Sequence, residues 1–112
     1  MPEWAPDAGD LVWLTFDPQA GREQAGRRPA LVLTPASYNR RSGLAIMCPI
    51  TSRIKGYPFE VELPEGLEVS GAVLADHVKS LDWRTRRADP AGKVSAALLA
   101  DVLARLLPLL GY

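Results

Sequence analysis

Three arginines and one carboxylate crowd a single short stretch of this chain, Gly21-Arg22-Glu23-Gln24-Ala25-Gly26-Arg27-Arg28-Pro29. Clustered guanidinium groups repel one another, and glycines raise the entropy lost on ordering, so a bound anion would offset the cost of folding such a loop. The alternative is a solvated surface loop, and the stretch alone decides neither. A second polar group follows Cys48-Pro49-Ile50. Thr51 and Ser52 offer hydroxyl and backbone donors, and Arg53, Lys55 and Tyr57 add two cations and one stacking surface. Together these residues suit a phosphodiester. Arg28, with Arg22 and Arg27, can grip phosphate oxygens through forked guanidinium groups. Without a metal, one route to cleavage lets an RNA 2′-hydroxyl attack its own phosphate. That route needs a base near the hydroxyl, donors for the crowded phosphate oxygens and an acid for the leaving oxygen. Glu23 is the candidate base; Arg28 and Thr51 are the candidate stabilisers.

Other chemistries find less support. One cysteine, Cys48, and one histidine, His77, cannot complete a structural zinc site. The carboxylates are scattered and no Gly-rich phosphate loop is present, so no cofactor or metal is expected. Cys48 ends an apolar run and reads as a small buried hydrophobe rather than half of a thiolate–imidazole pair. His77 reads as a hydrogen-bonded structural histidine at least as readily as a catalytic one.

The elements that must position these groups are mostly strands. Leu11 to Phe16, Ala30 to Thr34 and Leu44 to Cys48 are apolar runs ended by Pro18, Pro35 and Pro49. A short helical turn is expected at Ala36 to Arg40, within a polar loop that reaches Gly43. Pro58 to Leu63 alternates, with Phe59, Val61 and Leu63 inward and Glu60 and Glu62 outward. Gly71 to Ala75 and His77 to Leu81 follow as short strands. Asp89-Pro90-Ala91-Gly92 fits a type I turn. A closing helix is capped by Ser95, packs through Leu98, Val102, Leu106 and Leu109, pairs Asp101 with Arg105, and ends or kinks at Pro108. Trp13 and Phe16 lie in an apolar run and read as core. Trp83, beside Arg84, reads as edge-of-core packing. Many short, unevenly spaced strands favour a small, partly open barrel over a sandwich.

Length and composition agree. A chain of 112 residues with 47% hydrophobic and 23% charged residues fits one soluble domain, residues 1–112. Net charge is zero, so attraction to a polyanion must be local. From Ala20 to Tyr57, seven basic residues (Arg22, Arg27, Arg28, Arg40, Arg41, Arg53, Lys55) face one acidic residue, Glu23. From Pro58 to Asp82, six acidic residues (Glu60, Glu62, Glu65, Glu68, Asp76, Asp82) face one basic residue, Lys79. The lone cysteine suits a reducing cytoplasm, and neither a signal peptide nor a membrane span is expected.

The residues also carry a resemblance. Gly9-Asp10-Leu11-Val12-Trp13, Phe16-Asp17-Pro18, the 21–29 stretch, Cys48-Pro49-Ile50-Thr51-Ser52, Lys55-Gly56-Tyr57-Pro58-Phe59 and Leu74-Ala75-Asp76-His77-Val78-Lys79-Ser80 appear in unbroken order. The chain resembles the MazF/PemK toxins of bacterial toxin–antitoxin pairs, most closely the MazF branch. That resemblance implies an SH3-like barrel with a C-terminal helix, working as a homodimer. It implies a metal-independent endoribonuclease that cuts single-stranded RNA at short sequences, leaving 2′,3′-cyclic phosphate and 5′-hydroxyl ends, and a MazE-type antitoxin that blocks the RNA groove. Arg28 and Thr51 occupy the family's catalytic positions, and Glu23 matches its upstream glutamate. The expected RNA-binding set is Arg22, Gln24, Arg27, Ser52, Arg53, Lys55, Tyr57, Asp76, His77, Lys79 and Ser80. Two positions depart from the pattern. Leu74 stands where PemK-type members place a catalytic arginine, and His77 replaces a glutamine, so no catalytic role is carried over to either. Two rival functions use a similar fold: a CcdB-like gyrase poison, whose tryptophan-bearing tail this chain lacks, and a non-catalytic SH3-like peptide module.

Overall fold

A computed structural model describes residues 4–16 and 26–112. The elements are β1 (Asp10–Thr15), β2 (Arg27–Val32), α1 (Ala36–Ser42), β3 (Leu44–Thr51), β4 (Glu60–Glu62), β5 (Ala72–Leu74), β6 (Lys79–Asp82), β7 (Asp89–Lys93), α2 (Ala96–Leu106) and a closing 3-10 turn, Leu107–Leu110. The strands form one open, antiparallel seven-stranded sheet in the order β4-β5-β3-β2-β1-β7, with β6 also paired to β3. This is the small, partly open, mainly β architecture with a C-terminal helix that the strand pattern predicts.

The central strands are apolar on both faces because both faces are covered. Leu11, Leu31, Cys48, Ile50, Val73 and Val102 belong to one core layer, closed by α2. Val12, Leu14, Ala30, Val32, Met47 and Trp83 belong to the other. Neighbouring residues of one strand thus enter opposite layers, as the pleat requires. Among the described residues, Asn39 is the buried polar one. Its amide donates to the carbonyls of Pro6 and Thr34, both at 2.8 Å, and its Oδ1 accepts from the Thr34 hydroxyl at 2.7 Å. Trp83 is 5% exposed and donates from its indole nitrogen to the Asn39 carbonyl, which confirms its core position.

Several local expectations need correction. β3 does not stop at Pro49 but continues to Thr51. One edge of β3 is shared, with residues 44–47 paired to β6 and residues 50–51 to β5. The Ile46 carbonyl accepts from Leu33 on the β2 side, so strand alternation turns Pro49, which has no N–H, toward the gap between those two partners. Asp89 to Gly92 is not a type I turn. It begins β7, which pairs with β1 through Trp13↔Asp89, Val12↔Pro90 and Asp10↔Lys93, and Pro90 is tolerated there because β7 is an edge. The helical turn at Ala36 is a full two turns ending at Gly43, whose φ of 76° gives the left-handed cap. His77 lies in a turn, its N–H donating to the Leu74 carbonyl, and β6 begins only at Lys79. Ser95 does cap α2, accepting from the Leu98 N–H, and Asp101 does pair with Arg105 at 3.1 Å. Leu109, however, is 52% exposed, because the chain tightens into the 3-10 turn at Leu107 and rotates it off the packing face.

Candidate active site

The β2–β3 register runs Val32↔Met47, Leu31↔Cys48, Ala30↔Pro49. Extended by two residues, it sets Arg28 across from Thr51. Both residues line one open cleft of about 430 Å³. Trp13 of β1 contributes from the far side of Pro29, its cross-strand partner. Ile50, Ser52 and Arg53 continue from the end of β3, and Glu68, Val69 and Ser70 close the cleft from the β4–β5 connection. The expectation that Trp13 is core is therefore corrected. It is 38% exposed and forms part of the cleft wall, because the strand runs past the edge of the core layer at this end. Phe16 remains half-buried against the second core layer.

Arg27 and Arg28 both line the cleft but are held differently. Nη2 of Arg27 donates to Asp89 Oδ2 at 2.7 Å, and its Nη1 donates to the Arg87 carbonyl at 2.8 Å and the Arg86 carbonyl at 3.3 Å. Its guanidinium thus ties the start of β2 to β7 and to the turn before it. Arg86 completes the tie by donating to the carbonyls of Thr15 and Phe16 at the end of β1. Arg28 is exposed along the cleft. Thr51 is half-buried. Its Oγ1 accepts from the Arg53 N–H at 3.0 Å, while its own hydrogen finds the Arg53 carbonyl only at 3.5 Å, leaving that donor free for a ligand.

The Thr51 backbone is held by a close approach. Gly71 has φ of 126°, and a Cβ there would lie 2.2 Å from the Thr51 carbonyl oxygen. Only glycine fits such a contact.

The remaining expected residues are dispersed. Lys55 and Tyr57 are exposed on the loop after the cleft, with Lys55 Nζ 5.8 Å from the Tyr57 ring centroid. Glu60 Oε1 accepts from the N–H groups of Lys55 and Gly56 at 3.0 and 2.9 Å and so shapes that loop. Asp76, His77, Lys79 and Ser80 are exposed on a different edge. His77 Nε2 lies 3.7 Å from Asp76 Oδ1, and Lys79 Nζ lies 5.9 Å from the Phe16 ring, which brings this segment beside the end of β1. Arg22, Glu23 and Gln24 lie outside the described residues. Cys48 is fully buried and contacts the Ala75 carbonyl at 3.9 Å. Burial, helped by the nearby Asp76 carboxylate, pushes its thiol up to about 12, so it is no nucleophile. Among the described residues, no three His, Cys, Asp or Glu side chains come together as a metal-binding group, and no helix is long and apolar enough to cross a membrane.

Sequence reasoning missed Trp13, Glu68 and Ser70 as cleft residues. Trp13 was hidden by its apolar neighbours. Glu68 and Ser70 carry no local signal, since the connection that holds them reaches the cleft only through the β3–β5 pairing.

An open antiparallel sheet with a C-terminal helix thus carries an arginine–threonine cleft at the ends of two central strands. The profile of the PemK-like, MazF-like toxins of type II toxin–antitoxin systems matches residues 7–110, and the chain belongs to this family. It is 48% identical over 108 residues to the endoribonuclease toxin MazF of Escherichia coli K12, covering 96% of each chain. It is 31% identical over 105 residues to Escherichia coli endoribonuclease PemK, covering 89% of this chain and 78% of that one. Among solved structures, MazF from Deinococcus radiodurans superposes with a TM-score of 0.89 at 62% identity, over 98% of this chain and 100% of that one. A MazE–MazF complex from the same organism gives 0.89 at 56% identity over the same shares.

Proposed function

We propose that this protein is the endoribonuclease toxin of a toxin–antitoxin pair, cutting single-stranded RNA at short sequences and so inhibiting translation and growth. The observation that carries the reading is the placement of Arg28 and Thr51 on adjacent strands in one cleft. Relatives named as endoribonucleases at 48% and 31% identity support the activity.

The chemistry is transfer to a neighbouring hydroxyl. The RNA 2′-oxygen forms a new bond to phosphorus as the bond from phosphorus to the 5′-oxygen breaks. The 2′-hydroxyl gives up its proton and the departing 5′-oxygen gains one. The products are a 2′,3′-cyclic phosphate and a 5′-hydroxyl. Arg28 and the Thr51 hydroxyl donate to the phosphate oxygens as negative charge builds on them, which is where fixed donors act most strongly. A guanidinium hardly ever releases its proton, so Arg28 acts as charge stabiliser rather than acid. Glu23 serves as base or supporting carboxylate. Arg53, Ser52, Lys55 and Tyr57 carry the RNA away from the reacting phosphate, with Arg22, Gln24, Asp76, His77, Lys79 and Ser80 contributing from neighbouring segments. Arg27 acts by holding the start of β2 in place.

The reaction needs no metal and takes place in the cytoplasm. The working unit is a homodimer, and a MazE-type antitoxin binds across it and closes the RNA groove; a solved MazE–MazF complex of a 56% identical relative supports an antitoxin partner.

The test is incubation with a long defined RNA in EDTA, followed by mapping of the new ends. Cuts at one recurring short motif with cyclic-phosphate termini are expected. Scattered ends, or cutting abolished by EDTA, would contradict the reading.

A further inference from the structure

The cleft holds a group that phosphate binding does not use. Glu68 lines it together with Arg28, Thr51 and Arg53, yet among the described residues no cation lies within 4.0 Å of its carboxylate. Its backbone is anchored on both sides. Leu67 packs against the first core layer and Val69 is 3% exposed within it, so Glu68 is turned outward between two anchored neighbours. Two residues past Val69, Gly71 abuts the Thr51 carbonyl. The backbone that carries Glu68 is therefore held in a set relation to the proposed phosphate site.

A negative charge beside that site opposes phosphate. Neutralising an arginine would explain it, but the expected ion pair is missing among the described residues. An unspent carboxylate does accept N–H donors, and RNA supplies these on its bases. The cleft is also lined by the half-exposed indole of Trp13, with Pro29 and Ile50 in a row beside it across the strands. An aromatic face and an apolar floor with one acceptor at the rim form the kind of surface that holds an unstacked base.

We infer that Glu68 is a specificity-determining residue of this cleft, accepting a hydrogen bond from the amino group of a nucleobase stacked on Trp13 next to the scissile phosphate. The inference rests on the endoribonuclease reading. It favours a base that carries an exocyclic amino group over uracil, whose one pairing-edge donor, N3–H, is flanked on both sides by carbonyl oxygens that repel the carboxylate.

The test uses RNAs that share the mapped cleavage motif and differ by one base at each position flanking the cut. Relative cleavage rates are measured for the full-length wild type, Glu68→Ala and Glu68→Gln. At one position the wild type prefers an amino-bearing base over uracil, and Glu68→Ala lowers that preference by about tenfold or more, the scale of one good base contact. Glu68→Gln, which keeps a carbonyl acceptor but adds a donor, raises the relative rate for uracil. Unchanged base preference, an equal fall on all RNAs, or an effect confined to the dimer–monomer balance would each overturn the inference while leaving the endoribonuclease reading intact. Failure of the wild type to cut any of these RNAs would overturn both.

Discussion

Arg28 and Thr51 stand two residues beyond the last paired positions of β2 and β3, across from one another, where the strands leave the core and open into solvent. The strand pairing that buries Leu31 beside Cys48 is thus the same pairing that aims a guanidinium and a hydroxyl into one cleft. Fold stability and site geometry share a cause here, which gives the individual roles clear tests.

Arg28→Ala should lower the cleavage rate by ~10²-fold or more, the scale of losing one transition-state donor. Because Arg28 is exposed, its thermal midpoint should stay close to that of the wild type. Arg28→Lys should recover only part of the rate, since an ammonium cannot reproduce a two-pronged grip. Near-normal cleavage by folded Arg28→Ala would remove Arg28 from the mechanism.

Arg27→Ala should show the opposite pattern, losing stability before chemistry. Its donors are committed to Asp89 and to the carbonyls of Arg86 and Arg87. A double-mutant cycle with Asp89→Ala should give a coupling of about 0.5–1 kcal/mol, as for a largely exposed ion pair. Zero coupling, with a rate loss as large as that of Arg28→Ala, would place Arg27 among the phosphate-holding groups instead.

Gly71→Ala should damage a site it does not touch with a side chain. A Cβ would lie 2.2 Å from the Thr51 oxygen, so the end of β3 or the start of β5 must move. A fall in unfolding free energy of about 1–3 kcal/mol is expected from the strained backbone, with a drop in rate on saturating RNA. Equilibrium denaturation and single-turnover cleavage measure the two effects. Wild-type values in both would show that the contact is relaxed in solution.

Cys48 gives a prediction in pH. Its thiol is raised from an ordinary 9.0 to about 12 in the folded chain. Between those values the unfolded chain has lost the proton and the folded chain keeps it. Stability from this group is therefore complete below about 9 and falls as pH rises toward 12, by at most about 1.4 kcal/mol per pH unit. Native protein at pH 8 should resist thiol alkylation, and cleavage should continue after such treatment. Rapid alkylation of the folded protein would show that Cys48 is accessible.

Periodicity alone revealed the sheet's central strands, the amphipathic α2 and its Ser95 cap, because each rests on a local pattern that burial reinforces. Failures occurred where distant pairing overrules local chemistry. Pro49 reads as a stop yet lies inside β3, since its missing N–H falls in the gap between two partner strands. Asp89-Pro90-Ala91-Gly92 reads as a turn yet pairs with β1 as an edge strand. Site chemistry followed the same division. Arg28 and Thr51 were singled out by residue type and resemblance, and they line one cleft. The tethering of Arg27, which lines the same cleft as Arg28, was not legible, because its partners come from sixty residues downstream. Glu68 could be found only once β5 was seen beside the end of β3.

The most direct test of the mechanism replaces one atom of the substrate. In an RNA carrying the mapped motif, deoxyribose is placed at the single nucleotide on the 5′ side of the cut bond, and cleavage is followed at enzyme excess. Removing the attacking oxygen should abolish cutting at that bond while an all-ribose control is cut with a cyclic phosphate left behind. Continued cutting at the substituted bond would mean that water or the protein supplies the nucleophile, and the roles given to Arg28 and Thr51 would have to be abandoned.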